Sequence, residues 1–210
     1  MPPLPPRSSS SIRVAAQPGR IKGTAVRAGL AWFAESYGDA ALAQVFELAS
    51  PALQAILRVE DPVFGVMAAS WYDTPLIGEL LAQLEHVAAP GDPEAYNSRL
   101  AQAIARDNVG GVYRALFRLV ASPKLLEANA QRVWRTYCDE GTLTVRIHAP
   151  GRFEGDVRDW TRHHPAVCRV LRTLVEQVLR AIGYTGLMVD RTRCVGQGDP
   201  HCTWEGNWVV

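Results

Sequence analysis

The sequence predicts a single α+β domain, in which an N-terminal helical block packs on a four-stranded antiparallel sheet with one long helix between the strand pairs. Up to about residue 140 the apolar residues recur at helical spacing. After Gly141 they alternate as they do in strands. The later elements follow the order strand, strand, helix, strand, strand, without the repeated βαβ units of a parallel sheet. With 210 residues, 48% of them hydrophobic, the chain is long enough to bury a sizeable core.

The helical block is divided by clear helix-start signals. Ser50, Thr74 and Ser122 each place a capping hydroxyl before a proline at the first helical position, and Asp92 places a carboxylate there. The predicted helices span residues 24–37, 39–48, 51–58, 75–88, 93–119 and 123–139, with a possible bend in the fifth at Gly110-Gly111.

The last third of the chain supplies the sheet. The segment TLTVRIH, residues 142–148, alternates apolar and polar side chains like a half-buried strand, and RFEGDVRDW follows it after a Pro-Gly turn. Pro165 opens a helix that ends at Gly183, with Cys168, Leu171 and Val175 on its apolar stripe. Two strands, about 186–195 and 201–209, joined by the turn GQGD, close the chain.

Residues 1–22 are rich in proline and serine and are predicted to form a disordered tail, so that the domain spans 23–210, with a helical part at 23–140 and a sheet part at 141–210. The 22 Lys and Arg against 21 Asp and Glu give a net charge of +1, which argues against direct nucleic-acid binding. The sequence has neither a secretory signal nor an uncharged stretch of about 20 residues. We therefore expect a cytoplasmic protein with reduced cysteines and no membrane insertion.

Three cysteines near the end of the chain form a candidate metal site. Cys194 and Cys202 face each other across the last hairpin, and Cys168 lies on the helix that must pack on this sheet. Three converging thiolates suit zinc, although a packed cross-strand pair beside a core cysteine explains the same pattern. The sequence offers no evident fourth ligand, because His201 is expected on the other sheet face and His163 lies a turn or more before Cys168.

The segment RCVGQGDPHCTWEGNW, together with Cys168, resembles the 4-vinyl-reductase-type small-molecule-binding domain, which is also the sensory domain of phenol-responsive activators. In zinc-binding members of that family a glutamate three positions before the second cysteine is the fourth ligand, and here that position is Arg191. Over residues 22–208 the chain resembles a myxobacterial paralogous family of uncharacterised proteins in KGTAVRAGLAWF, SWYDTPLIGELL, GVYRALFR and RCVGQGDPHCTW. The resemblance implies a fold shared with domains of haem-based nitric-oxide sensors and with vesicle-tethering subunits, and a homodimer.

The function that we expect is a non-catalytic small-molecule-binding or sensory module, with an apolar or aromatic ligand between the helices and the sheet. The alternative is a structural or interaction module that dimerises or docks to a partner and binds no small ligand. Five aromatic residues near the junction of helices and sheet are the candidate pocket residues: Trp71, Tyr72, Phe117, Trp134 and Tyr137. We expect them on helical segments.

Haem and enzymatic activity are both disfavoured by the sequence. Neither His86 nor His148 lies in the tyrosine, serine and arginine motif that holds the haem propionates in nitric-oxide sensors, so we expect no haem. The sequence has no GxSxG, Walker, dinucleotide-glycine or HExxH motif. His163-His164 with Asp156 or Asp159 is better explained as a surface loop than as an acid/base pair, so we expect no catalysis.

Overall fold

The computed structural model describes residues 19–110 and 114–209. The folded part begins with a short strand, β1 (Arg20–Lys22), which pairs antiparallel with β2 (Trp71–Asp73). The predicted tail of residues 1–22 was therefore wrong for its last three residues, because backbone pairing with β2 orders them. Residues 1–18 lie outside the described part.

Seven α-helices are described, and their order agrees with the predicted order. They are α1 (Gly23–Leu48), α2 (Pro51–Gln54), α3 (Thr74–Ala88), α4 (Pro93–Gly110), α5 (Arg114–Phe117), α6 (Pro123–Tyr137) and α7 (Pro165–Ala181). Helix α1 is interrupted at Gly38, whose φ of 80° is left-handed, so the two predicted helices on either side are confirmed. The predicted bend at Gly110-Gly111 falls partly outside the described residues.

The helix starts follow the capping chemistry in three of four cases. The hydroxyls of Ser50 and Ser122 accept the backbone N–H groups of Leu53 and Leu125, and the Asp92 carboxylate accepts that of Ala95. Thr74 instead occupies the first helical position itself, because Asp73 ends β2 directly before it. Serine and aspartate caps therefore predict these boundaries better than the threonine does.

Four long strands form the main sheet. They are β3 (Thr142–Ala149), β4 (Arg152–Arg158), β5 (Thr185–Arg193) and β6 (Cys202–Val209), in the antiparallel order β3-β4-β6-β5. Helix α7 connects the two strand pairs. The predicted α+β class, with helices packed on a four-stranded antiparallel sheet, is confirmed.

The two faces of the sheet differ in chemistry. The inner face buries Val145, Phe153 and Trp204 against the helices. The outer face carries ion pairs, such as Arg146 with Glu154 at 3.2 Å and Arg152 with Glu205 at 2.9 Å. The space between the helices and the apolar inner face is therefore where a buried site can form. None of the helices in the described part is long and apolar enough to cross a bilayer.

Candidate functional site

A cavity of about 200 Å³ lies between the helices and the inner face of the sheet. Its wall is built from β1, α1, α3, α4, α5, α6, α7 and the sheet, and aliphatic or aromatic side chains make up nearly all of it. Helix α7 contributes the largest share, which is Val167, Val170, Leu171, Leu174, Val175, Val178 and Leu179. The described residues of this wall include no Lys, Arg, His, Asp or Glu.

Three of the five candidate pocket residues lie on this wall. Phe117 and Tyr137 stack with their ring centroids 6.2 Å apart, and Tyr137 donates its hydroxyl to the Asn108 side chain at 3.2 Å. Trp134 donates its indole N–H to the Glu140 carbonyl at 2.8 Å. These three residues lie on the helical side of the cavity, and their role in binding a ligand stays a prediction.

Trp71 and Tyr72 do not line the cavity. The expectation that they lie on a helical segment was wrong, because both belong to β2, which pairs with β1. The ammonium group of Lys22 lies 4.8 Å from the centre of the Trp71 ring. The Tyr72 hydroxyl accepts the backbone N–H of Met67 at 2.8 Å. Both side chains therefore fix the β1–β2 ribbon and a neighbouring loop.

Several wall residues were not predicted from the sequence. Phe153, Gly155 and Trp204 on the sheet, Cys138 after α6, and Asn108 on α4 all line the cavity. The alternation of apolar and polar residues along β4 and β6 could have indicated the three sheet residues, because every second side chain of a strand points to the same face of the sheet.

A second site, the cysteine–histidine cluster, consists of His163, Cys168, Cys194 and Cys202. One ligand atom from each residue lies within 4.8 Å of all the others. The Cys168 Sγ atom is 3.8 Å from both Cys194 Sγ and Cys202 Sγ, and Cys194 Sγ is 3.6 Å from His163 Nε2. The three cysteines are buried and His163 is partly exposed.

The expectation that no fourth ligand lies near the three cysteines was wrong. His163 belongs to the loop before α7, so spacing along a helix does not apply to it. Its ring packs on Trp160 in a T-shaped arrangement, with the ring centroids 5.1 Å apart. His201 instead lies 3.6 Å from the carboxylate of Asp156. Arg191 is not a ligand, but its guanidinium donates to Cys168 Sγ at 3.5 Å.

Local backbone geometry shapes the cluster. The His164 ring accepts the Ala166 N–H at 3.2 Å and so caps α7 four residues before Cys168. Asp199 accepts the Cys194 N–H at 2.8 Å and holds the turn after β5. A Cβ atom on Gly196 would lie 3.1 Å from the His163 ring, so a glycine leaves room there.

The thiols of the cluster differ in acidity. The hydrogen bond with Cys202 and burial raise the pKa of Cys168 to about 12, whereas the hydrogen bond from Cys168 lowers the pKa of Cys202. Burial raises the pKa of Cys194. A metal ion that binds thiolates must displace these protons, so it would bind more tightly as the pH rises.

Two sulfur–sulfur distances in the cluster equal those of a tetrahedral zinc site. Zn–S bonds of about 2.3 Å in a tetrahedron place two sulfur atoms about 3.8 Å apart. This is the separation of Cys168 Sγ from each of the other two sulfur atoms. Three thiolates and one imidazole are also a ligand set of structural zinc sites.

No family model matches the chain, and no curated protein is similar to it in sequence. Solved structures share its fold. An H-NOX protein from K. algicida in the Fe(II) unliganded state aligns with a TM-score of 0.64 at 12% identity, over 90% of this chain and 97% of that one. An oxygen-binding H-NOX domain related to soluble guanylate cyclases aligns with a TM-score of 0.59 at 11% identity, over 90% of this chain and 96% of that one.

The chain has the H-NOX fold. The resemblance to the 4-vinyl-reductase-type domain and to a myxobacterial family was wrong, because the structural neighbours are H-NOX domains and no family model supports that assignment. The cysteine spacing that carried the resemblance involves few residues, whereas the structural alignment covers 90% of the chain.

The prediction against haem is also overturned. One structure of the same fold, with a TM-score of 0.56 at 12% identity over 90% of this chain and 96% of that one, is described as probing heme distortion in the H-NOX family.

Proposed function

We propose that this protein is a non-catalytic ligand-binding module of the sensory type, whose ligand occupies the apolar cavity. The observation that carries the proposal is the cavity itself, because well-packed cores leave few voids larger than a water molecule. The fold supports the same proposal, since one H-NOX neighbour is described as oxygen-binding. A space between helices and a sheet, lined by apolar side chains, is a usual location for a small-molecule site.

The wall favours an uncharged apolar or aromatic ligand. Its described residues offer no side chain that could neutralise a charged group on the ligand, and burying an unpaired charge is costly. A cavity of about 150 Å³ lined by aliphatic and aromatic side chains holds benzene. At about 200 Å³, the cavity suits one aromatic ring with a short substituent.

Haem is the second candidate ligand, and the fold favours it. When bound, haem supplies an iron centre that binds diatomic gases. Tyr137 and Cys138 are the described wall residues of the kinds that ligate haem iron. The apolar wall suits the faces of the macrocycle, but the described wall residues include no cationic side chain for the propionates. The residues present therefore fit haem incompletely.

A thermal-stability titration tests the first candidate. A specific ligand must raise the melting temperature by mass action, by the equivalent of about 2.7 kcal/mol at 100 times its dissociation constant. The titration uses a panel of monosubstituted benzenes. The control is Gly155→Leu, which fills the cavity from the sheet side and is expected to abolish the shift. No shift with any compound would refute the proposal for this class of ligand.

An absorption spectrum tests the second candidate. Protein produced with a supply of haem precursor would show a Soret band if the cavity holds haem, and Tyr137→Phe or Cys138→Ser would shift that band if either residue is the iron ligand. A spectrum without a Soret band, before and after adding haem to the purified protein, would exclude haem.

The alternative function is an interaction module that forms a homodimer and leaves the cavity without a small ligand. The two functions differ in their expected outcomes. A dimer in sedimentation experiments, together with the absence of both a ligand-induced stability shift and a Soret band, would favour the interaction module.

We further propose that the cysteine–histidine cluster binds one zinc ion that ties α7 to the last hairpin. The support is the four ligand atoms within 4.8 Å and the sulfur separations of a tetrahedral site. The positive charge of Arg191 at 3.5 Å from Cys168 would offset the net negative charge of zinc with three thiolates.

Elemental analysis tests the metal site. We expect about one zinc per chain in the wild type, and a loss of zinc with a lower melting temperature in Cys194→Ser and His163→Ala. The matched control is Cys138→Ser, because Cys138 is the one described cysteine outside the cluster. Equal zinc content in the wild type and Cys194→Ser would contradict the proposal.

A further inference from the structure

The polar atoms of the cavity wall are not exposed to the cavity. Four described wall residues carry a nitrogen or oxygen atom in the side chain, namely Asn108, Trp134, Tyr137 and Trp204. No polar atom of these side chains, or of the described backbone of the wall, is exposed to the enclosed space. Cys138 adds a thiol, which forms only weak hydrogen bonds. A ligand in the cavity therefore finds no strong hydrogen-bond partner on the described wall.

Hydrogen bonds within the protein account for most of these polar groups. The Trp134 indole N–H donates to a backbone carbonyl at 2.8 Å. The Asn108 side chain donates to another backbone carbonyl at 2.8 Å and accepts the Tyr137 hydroxyl at 3.2 Å. The Trp204 indole nitrogen has no partner among the described residues, but it is itself inaccessible, so a ligand in the cavity cannot reach it. These groups are therefore either used within the protein or enclosed by it.

Water and polar ligands are disfavoured in a cavity of this kind. A buried water molecule needs about two to four polar partners, and apolar cavities stay dry. A hydroxyl or amine that enters must give up its hydrogen bonds to water and finds none in return, which costs binding free energy. A hydrocarbon gives up no hydrogen bonds, so its transfer from water into the cavity is favourable. The described wall therefore selects against hydrogen-bonding groups on a ligand.

We propose that the ligand of the cavity is a hydrocarbon, or a halogenated hydrocarbon, that carries no hydroxyl, amine or carbonyl group. This inference rests on the proposed function, which places a ligand in the cavity. It narrows the ligand class by excluding aromatic compounds with hydrogen-bonding groups. Addition of a hydroxyl group by an oxygenation reaction then converts a ligand into a molecule that the cavity binds poorly. A sensory module of this kind responds to the hydrocarbon and not to its hydroxylated product.

Four compounds of equal size test the inference. Toluene, chlorobenzene, phenol and aniline each consist of a benzene ring with one further heavy atom, and only phenol and aniline carry hydrogen-bonding groups. Calorimetry on the purified protein measures a dissociation constant for each compound. We expect toluene and chlorobenzene to bind within about threefold of each other, and phenol and aniline to bind at least about tenfold more weakly than toluene.

A variant with a polar wall tests the physical cause of this selectivity. Val145 on β3 lines the cavity, and Val145→Thr adds a hydroxyl to the wall at nearly the same side-chain size. We expect it to reduce the preference for toluene over phenol by roughly fivefold, the worth of a typical net hydrogen bond. The matched control is Val189→Thr, because Val189 is a buried valine of β5 that is not on the wall, and it should keep the wild-type preference. No reduction in Val145→Thr, or an equal reduction in Val189→Thr, would overturn the inference.

The comparison of the four compounds uses the wild-type protein, so it does not depend on how well the variants fold. Binding of phenol or aniline as tightly as toluene overturns the inference alone. Binding of none of the four compounds overturns it together with the proposed aromatic ligand, so the two failures are distinguishable.

Discussion

Gly155 controls how much of the cavity the sheet leaves open. A Cβ atom at this position would lie 3.7 Å from Val145 and 3.9 Å from Leu143, which is ordinary van der Waals contact. The neighbouring strand offers a contrasting glycine, Gly206, where a Cβ atom would lie 2.0 Å from the Phe153 ring. Gly155 therefore has space for a side chain, whereas Gly206 is closely packed against Phe153.

Gly155→Ala is expected to stabilise the ligand-free protein by about 0.4 to 1 kcal/mol, because alanine restricts the unfolded chain and the new methyl group contacts the wall. The same methyl group removes cavity space, so the affinity for an aromatic ligand should fall. Chemical denaturation and ligand titration measure the two effects. Gly206→Ala should destabilise the protein instead, and a gain in stability there would contradict the packing described for Phe153.

Cys138 provides a second prediction at the residue scale. It lines the cavity at 7% exposure, and burial raises the pKa of its thiol to about 12. Because the thiolate is the reactive form and the folded-state pKa lies far above 8, iodoacetamide at pH 8 should modify Cys138 much more slowly than an unfolded cysteine. Peptide mass spectrometry in the absence and presence of urea measures the contrast. Equal rates would indicate that the wall opens readily around Cys138.

At the scale of elements, α6 depends on its N-terminal cap. The Ser122 hydroxyl accepts the Leu125 N–H, and α6 supplies Trp134 and Tyr137 to the cavity wall. Ser122→Ala should cost about 0.5 to 1 kcal/mol of stability, whereas Ser122→Asp should keep the cap and most of the stability. Thermal melting measures both variants. An equal loss in the two would show that the cap contributes little.

The helices and strands also show which features could be predicted from the sequence. Serine-proline and aspartate-proline pairs predicted helix starts because the cap and the proline act locally. The β1–β2 ribbon was missed because each strand has three residues, too few for an alternating pattern. His163 was missed because only the folded loop, with its ring against Trp160, brings it to the cysteines. The cavity depends on the summed shapes of side chains from many elements, and no local pattern records that volume.

At the scale of the whole molecule, α7 joins the two sites. Cys168 belongs to the cysteine–histidine cluster. Seven other residues of this helix, including the adjacent Val167, line the cavity. A change at the cluster that moves α7 would therefore also move the element that contributes the most residues to the cavity wall. Coupling of this kind is reciprocal, because each ligand must change the affinity for the other by the same factor.

Removal of the proposed zinc ion is thus expected to weaken binding of an aromatic ligand by at least about fivefold, which is the lower end of ordinary coupling between two sites. Calorimetric titration before and after treatment with a chelator measures the change, and re-addition of zinc should restore the affinity. Cys138→Ser tests whether another cysteine produces the effect, since it should respond to the chelator as the wild type does. Unchanged affinity after complete removal of zinc would show that α7 holds its position without the metal.

Strand β1, at the start of the described fold, forms part of the cavity wall. Ile21 pairs with Cys138 in an isolated β-bridge, and both residues line the cavity. Arg20 secures this junction through its ion pair with Asp139 at 2.6 Å. Since trypsin cuts after arginine and lysine, cleavage at Arg20 or Lys22 would break the chain next to Ile21 and so disrupt this part of the cavity wall. The rate of cleavage at these two peptide bonds therefore measures how firmly β1 is held against the cavity wall.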